Sequence, residues 1–132
     1  MIQISKEDQH TVLEVMLKVY PFEACGFMAG NNNKVSRLYP VENVLKSPHA
    51  YYMDPNQQLE AMLDLEERGL QMLAIYHSHP HGPEIPSASD IAQATYPDSA
   101  YVIISLADKQ QPSFRAFNIV DGQVKEIPYR VI

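Results

Sequence analysis

Gln71-Met72-Leu73-Ala74-Ile75-Tyr76-His77-Ser78-His79-Pro80 is the stretch on which the reading of this chain turns. Its first six residues form an apolar run with β-branched and aromatic members, the pattern of a buried strand, so His77 and His79 are expected where that strand runs out. Side chains at i and i+2 of a strand share a face, and both rings could reach one ion at roughly 2.0–2.1 Å. Pro80 stops the strand. Pro83 and Pro86 stiffen a loop that leads to Ser87-Ala88-Ser89-Asp90, where Asp90 supplies a third ligand type. Three protein ligands leave one position of a tetrahedral zinc open, which is the catalytic pattern, whereas structural sites are closed by four and favour cysteine.

Ser87-x-x-Asp90 also reads as a helix N-cap with an acid at N3, since Ile91, Ala92, Ala94 and Thr95 suit a helix and Pro97 would stop it. The two readings are compatible, because a helix dipole and a cation both favour a carboxylate in a first turn.

The segment HSHPHGPEIPSASD resembles the His-x-His-Pro, then Ser-x-x-Asp, layout of the JAMM (MPN-type) zinc metalloproteases. Upstream, Pro21-Phe22-Glu23-Ala24-Cys25-Gly26-Phe27-Met28-Ala29-Gly30 is similar to the family's other signature, a glutamate at a helix exit leading into a glycine-bounded strand. The resemblance implies that His77, His79 and Asp90 ligate one zinc per chain with water as fourth ligand, that Glu23 is the general acid/base, and that Ser87 helps stabilise the oxyanion. It implies hydrolysis of a peptide or isopeptide bond after the C-terminal Gly-Gly of a ubiquitin-like protein. The length resembles the minimal prokaryotic, Mec-like members, which process ubiquitin-fold sulfur carriers, rather than the insertion-bearing eukaryotic deubiquitinases. The chain's own end, Tyr129-Arg130-Val131-Ile132, is not that of a carrier.

Those roles are chemically coherent. A zinc-bound water has a pKa near ~7, and a partly buried carboxylate such as Glu23 can take its proton and return it to the leaving amine. A preorganised Ser87 hydroxyl at the oxyanion would contribute roughly 2.7–4 kcal/mol.

Three rivals stand beside this reading. A His, His, carboxylate set also serves non-haem iron oxygenases, although there the carboxylate usually falls between the histidines. A non-catalytic MPN-type scaffold would typically lack ligands that are present here. A RadC-like protein would add a helical DNA-binding module that this sequence does not carry.

With 132 residues, 45% of them hydrophobic, the chain is expected to be one domain, residues 1–132, burying around two thirds of its unfolded surface. It has no apolar run long enough to span a membrane and no secretory leader, so the expectation is a cytoplasmic protein. One cysteine allows no internal disulfide. A net charge of −6 without a Lys/Arg cluster argues against nucleic acid as a partner. The pattern leaves the oligomeric state open.

Around the central stretch, Ser5 and Asp8 read as a capping pair for a first helix carrying the stripe Leu13, Met16, Leu17 and Tyr20, ended by Pro21. Cys25 to Ala29 and Val35 to Val41 read as strands joined by an asparagine-rich turn, and His49 to Met53 as a further short strand that could accept an extended peptide at its edge. Asp54-Pro55 opens a second helix with Leu59, Met62, Leu63 and Glu66 on successive turns, closed by Gly69. Ala100 to Leu106 is a buried strand, and SFRAFNIV is expected to pair with QVKEIPYRVI across Asp121-Gly122. The fold class is α/β (α+β), a mixed, mostly antiparallel sheet flanked by helices; the resemblance implies a cytidine deaminase-like form of it. Cys25 reads as a core residue, His81 as a solvated loop residue with an option on substrate contact, and His10 and His49 as unassigned.

Overall fold

The computed structural model describes all of residues 1–132. Its elements run β1 (Ile2–Ile4), α1 (Lys6–Val19), β2 (Cys25–Asn31), β3 (Lys34–Val41), α2 (Pro55–Glu67), β4 (Gln71–His79), α3 (Ala88–Ala92), β5 (Ala100–Ser105), β6 (Ser113–Val120), β7 (Gln123–Ile127) and β8 (Tyr129–Val131). The strands make one mixed sheet in the order β7-β6-β5-β4-β2-β3-β1-β8. β2–β3, β2–β4, β5–β6 and β6–β7 pair antiparallel, while β4–β5, β1–β3 and β1–β8 pair parallel. No helix is long and apolar enough to cross a membrane.

β7 and β8 lie on opposite edges of this sheet although only Pro128 separates them in sequence. Two peptide links span about 7 Å, so the sheet must roll until its edges nearly meet. Ile2 N–H donates to the Pro128 carbonyl at 2.9 Å, and the Phe114 and Tyr129 rings stack across the seam at 5.7 Å. This corrects the expected single hairpin: QVKEI pairs with β6, but YRV leaves it and adds to β1. Pro128 has no N–H for a ladder and marks the break.

β4 alternates between two cores. Ala74 and Tyr76 join Met28, Val102 and Ile104 inside the roll, where α1 contributes Val12 and Met16. Burying Met16 stabilises by roughly 1.5–3 kcal/mol. Ile75 faces the other way, joining Cys25, Phe27, Tyr101 and Ile103 under α2, which contributes Ala61 and Met62. The expected α1 stripe is shifted: Leu13 and Tyr20 pack partly against the core, but Leu17 is exposed. In α2 the stripe is displaced further, with Ala61 and Leu65 buried and Leu59 and Leu63 in solvent. An alanine placed for its small size leaves no mark in an apolar pattern. Segment 49–53 is not a strand; it makes one bridge, Asn43 to Met53. α3 ends at Ala92, a short turn of helix rather than one running to Pro97.

Candidate metal centre

Extended backbone carries β4 through His79, so His77 and His79 point to the α2 face and Ser78 to the other. Ser78 Oγ accepts the Ala24 N–H at 2.8 Å and Ser78 N–H donates to the Ala24 carbonyl at 3.0 Å, which fixes the end of β4 against the start of β2. Cys25 pairs with His77 in register, so two residues further Glu23 falls opposite His79, on the face of both imidazoles. Glycine is needed at position 26 for a local reason. A Cβ there would overlap the Tyr39 carbonyl and the Tyr76 ring, and β2 could not lie this close.

Asp90 reaches the histidines from α3. Ser87 Oγ accepts the Asp90 N–H at 3.0 Å while Asp90 Oδ2 accepts the Ser87 N–H at 2.9 Å, a reciprocal capping box. The same Oδ2 lies 3.0 Å from His79 Nε2 and 3.2 Å from His77 Nε2, and the two Nε2 atoms are 3.0 Å apart. His79 Nδ1–H donates to the Pro83 carbonyl at 2.7 Å, which leaves its Nε2 lone pair facing inward. The three ligand atoms lie within 4.8 Å of one another. Lone pairs converging this closely repel unless a proton or cation sits among them, and a two-nitrogen, one-oxygen donor set suits zinc. The residues present therefore fit the ion.

Electrostatics separate the four titratable groups. His77 is fully buried and held below the usual imidazole range, chiefly by desolvation. Burial also pulls His79 down, but its bonds to Asp90 and Pro83 outweigh that and raise it. For Asp90 burial acts upward, yet the two imidazoles win and hold it far below the ordinary carboxylate range. Glu23 has no such support. It is 4% exposed, its Oε1 has no hydrogen-bond partner, and burial, opposed by His79 and assisted by Asp90, raises its pKa to about 7. A carboxyl that changes protonation near neutrality can both accept and deliver a proton.

The structure thus brings His77, His79 and Asp90 together, sets Glu23 beside them, and leaves Ser87 half-buried with its hydroxyl hydrogen uncommitted by the cap. Cys25 is buried, its thiol on the Val41 carbonyl and its pKa pushed up to about 12 by burial, so it is a core residue. Two residues escaped the sequence reading. Asn43 organises the loop beside the site: Nδ2 donates to the carbonyls of Glu23 and Ala50, and Oδ1 accepts from the N–H of Leu45 and Tyr52. That loop lays the Tyr51 ring on His77, centroids 4.7 Å apart. An asparagine in a loop gives no signal of such a role, and Tyr51 is brought near by the loop's course.

The fold and this constellation have the JAMM layout that the sequence resembles. Comparison with known proteins agrees. Residues 6–120 match the prokaryotic homologs of the JAB domain. Over 115 residues the chain is 36% identical to the CysO-cysteine peptidase of Mycobacterium tuberculosis, covering 86% of this chain and 79% of that one. It is 42% identical over 109 residues to a probable TtuB-protein conjugate cleaving protease of Thermus thermophilus, covering 82% and 69%. A protein of Desulfitobacterium hafniense with a known solution structure superposes with a TM-score of 0.90 at 37% identity, covering 100% of this chain and 93% of that one. The chain belongs to the prokaryotic JAB-domain family.

Proposed function

We propose that this chain, acting as one domain, is a zinc-dependent hydrolase that cuts the peptide or isopeptide bond after the C-terminal Gly-Gly of a ubiquitin-like sulfur-carrier protein. The observation that carries the reading is the trio of converging donors with an unpaired, buried carboxyl beside it. His77, His79 and Asp90 would hold one zinc, which would supply Lewis acidity to the scissile carbonyl and to the attacking water. His79 is kept in the right tautomer by the Pro83 carbonyl, and Asp90 is kept ionised by its neighbours. Glu23 takes the proton of the attacking water, the water oxygen bonds to the glycyl carbon, the C–N bond breaks, and Glu23 returns the proton to the departing amine. The Ser87 hydroxyl donates to the oxygen on which negative charge develops.

The wall formed by Tyr51 over His77 excludes water from one side of the site. Glycine suits the approach, because a backbone without Cβ can pass close to a crowded centre. Names of relatives support the substrate class, one a peptidase for CysO-cysteine and one a protease for TtuB-protein conjugates. A merely structural role for the fold would leave Glu23 unexplained, since an unpaired carboxyl in the interior costs stability without return. The lone cysteine, buried and unpaired, suits a cytoplasmic protein.

The test uses zinc-loaded protein and a β-grasp carrier extended beyond Gly-Gly, with products weighed by mass spectrometry. Cleavage immediately after the second glycine, lost in Glu23→Gln while zinc stays bound, is the expected result. Zinc-loaded protein that leaves the extended carrier intact, or cuts it elsewhere, would sink the assignment.

A further inference from the structure

On segments that adjoin those carrying the ligands, a second group of side chains has no assigned task. Lys109 Nζ sits 3.6 Å from the centroid of the Tyr20 ring, the His81 ring meets Tyr20 edge-on at 5.9 Å, and His49 lies against His81 at 6.4 Å. Four separate segments meet there. Tyr20 precedes Glu23 at the exit of α1, and His81 follows His79 directly after β4. His49 belongs to the loop whose Ser47 carbonyl accepts the Glu23 N–H at 2.8 Å. Lys109 follows β5, whose end is tied to β4 by Leu106 N–H donating to the His79 carbonyl at 3.0 Å.

These groups are exposed donors without acidic partners. Lys109, His49 and His81 are absent from every ion pair with a carboxylate, in a chain that carries 16 acidic residues. The adjacent Asp108 is committed to its own turn, accepting the Gln110 N–H at 3.0 Å. Tyr20 holds the ammonium by cation–π attraction, which restrains a side chain that would otherwise sample many rotamers. An imidazole offers an N–H in either protonation state. What such a group accepts is an anion with oxygen acceptors.

Its location says which part of a substrate would meet it. Glu23 would deliver a proton to the departing amine, so the departing residues lie on the Glu23 side of the ligands, and the Tyr20 segment and the His49 loop are the ones joined to Glu23. We infer that Lys109, His49 and His81, set around Tyr20, form a leaving-side subsite for the free α-carboxylate of a short C-terminal segment. The inference rests on the hydrolase reading above and narrows it. The preferred substrate is then a carrier extended by one or a few residues past Gly-Gly, ahead of a carrier joined through a lysine side chain to a folded protein.

Three substrates decide the matter: the carrier extended past Gly-Gly with a free carboxylate, the same extension ending in an amide, and the carrier joined to a lysine Nε of a folded protein. The wild type should favour the free acid over the amide through KM. Lys109→Gln and His49→Gln should each lower the acid-to-amide ratio of kcat/KM, on the order of tenfold for the charged contact. Lys109→Glu should lower it further, and Lys109→Arg should restore it. A ratio unmoved by Lys109→Gln, Lys109→Glu and His49→Gln would overturn the subsite. So would a wild type that cuts the lysine conjugate and spares the free acid, an outcome under which the hydrolase reading survives. A zinc-loaded wild type that cuts none of the three refutes both.

Discussion

Two Ser-x-x-Asp turns, Ser5 to Asp8 and Ser87 to Asp90, begin helices with the same serine cap and end with different chemistry. In each the serine Oγ accepts the aspartate N–H at 3.0 Å. The first opens a helix of 14 residues with Val12 and Met16 in the core; the second opens 5 residues with none buried. α1 is therefore stabilised mostly by packing, and its cap is an increment. α3 has little reason to exist apart from its first turn, whose Asp90 carboxylate is aimed at His77 and His79. The difference teaches that a capped carboxylate is turned to other chemistry by what stands opposite it and by its own return bond: Asp90 Oδ2 accepts the Ser87 N–H, whereas at Ser5 only the serine side chain accepts.

The strongest way to break that contrast is to remove the two carboxylates in turn. Asp90→Ala should abolish zinc retention and drop hydrolysis to background, a loss of at least about 10⁴-fold on the scale of ordinary enzymatic acceleration. Asp8→Ala should retain both. Zinc content by atomic absorption alongside turnover reads the difference, and a zinc-bound, active Asp90→Ala would erase it. Glu23 extends the comparison to a buried acid whose Oε1 has no hydrogen-bond partner. Glu23→Gln should keep zinc and lose about 10²–10⁴ in kcat, the usual worth of a positioned acid/base. Full turnover in that variant would show that proton transfer is handled elsewhere.

At the serines the contrast sharpens. Ser87→Ala should lower kcat by about 10²–10³ if its hydroxyl faces the developing oxyanion. A fall of only a few-fold in stopped-flow kinetics would reduce Ser87 to a cap like Ser5.

What the sequence made legible follows the same division. The convergence of His77, His79 and Asp90 was readable because the strand end and the capped turn constrain their spacing. The Ser5 cap, the β2–β3 hairpin and the strand at Ala100 to Ser105 were readable because their signals are local. β1 and β8 have three residues each, too few to show a period, and their parallel pairing joins the two ends of the chain. Leu59 and Leu63 misled because an apolar side chain can face solvent, whereas Ala61 is buried for its size. Asn43 and Tyr51 reach the site through a loop held by side-chain bonds, and no periodicity reports those.

Asp90, held low by its two imidazoles, differs from Glu23 also in how stability should respond to pH. Glu23 has its pKa raised from 4.5 to about 7, first by burial. Between those values the folded state keeps a proton that the unfolded chain releases, so stability is full below 4.5 and falls as pH rises through about 7. For zinc-free protein the loss should be about 2 kcal/mol after solvent screening is allowed for. Urea titrations from pH 4.5 to 8 should show that slope in the wild type and a flatter profile in Glu23→Gln. Equal slopes would mean that Glu23 is better solvated than its 4% exposure implies.

The smallest effect closes the comparison from its other side. Ser5→Ala removes one hydrogen bond at 3.0 Å from the start of a helix whose buried face is intact, and the cost of such a cap is about 1 kcal/mol, roughly 4 °C in Tm for a domain of this size. Turnover and zinc content should not change, because nothing at the start of α1 faces the ligands. The far end of α1, however, leads through Tyr20 into Glu23. If Ser5→Ala slowed hydrolysis while the fold persisted, helix registry would be felt at the proton-transferring residue, and the first Ser-x-x-Asp turn would hold a functional position of its own. An unchanged kcat with a lowered Tm would leave the two turns alike in their serine cap, separated by the return bond of Asp90 and by the pair of imidazoles it faces.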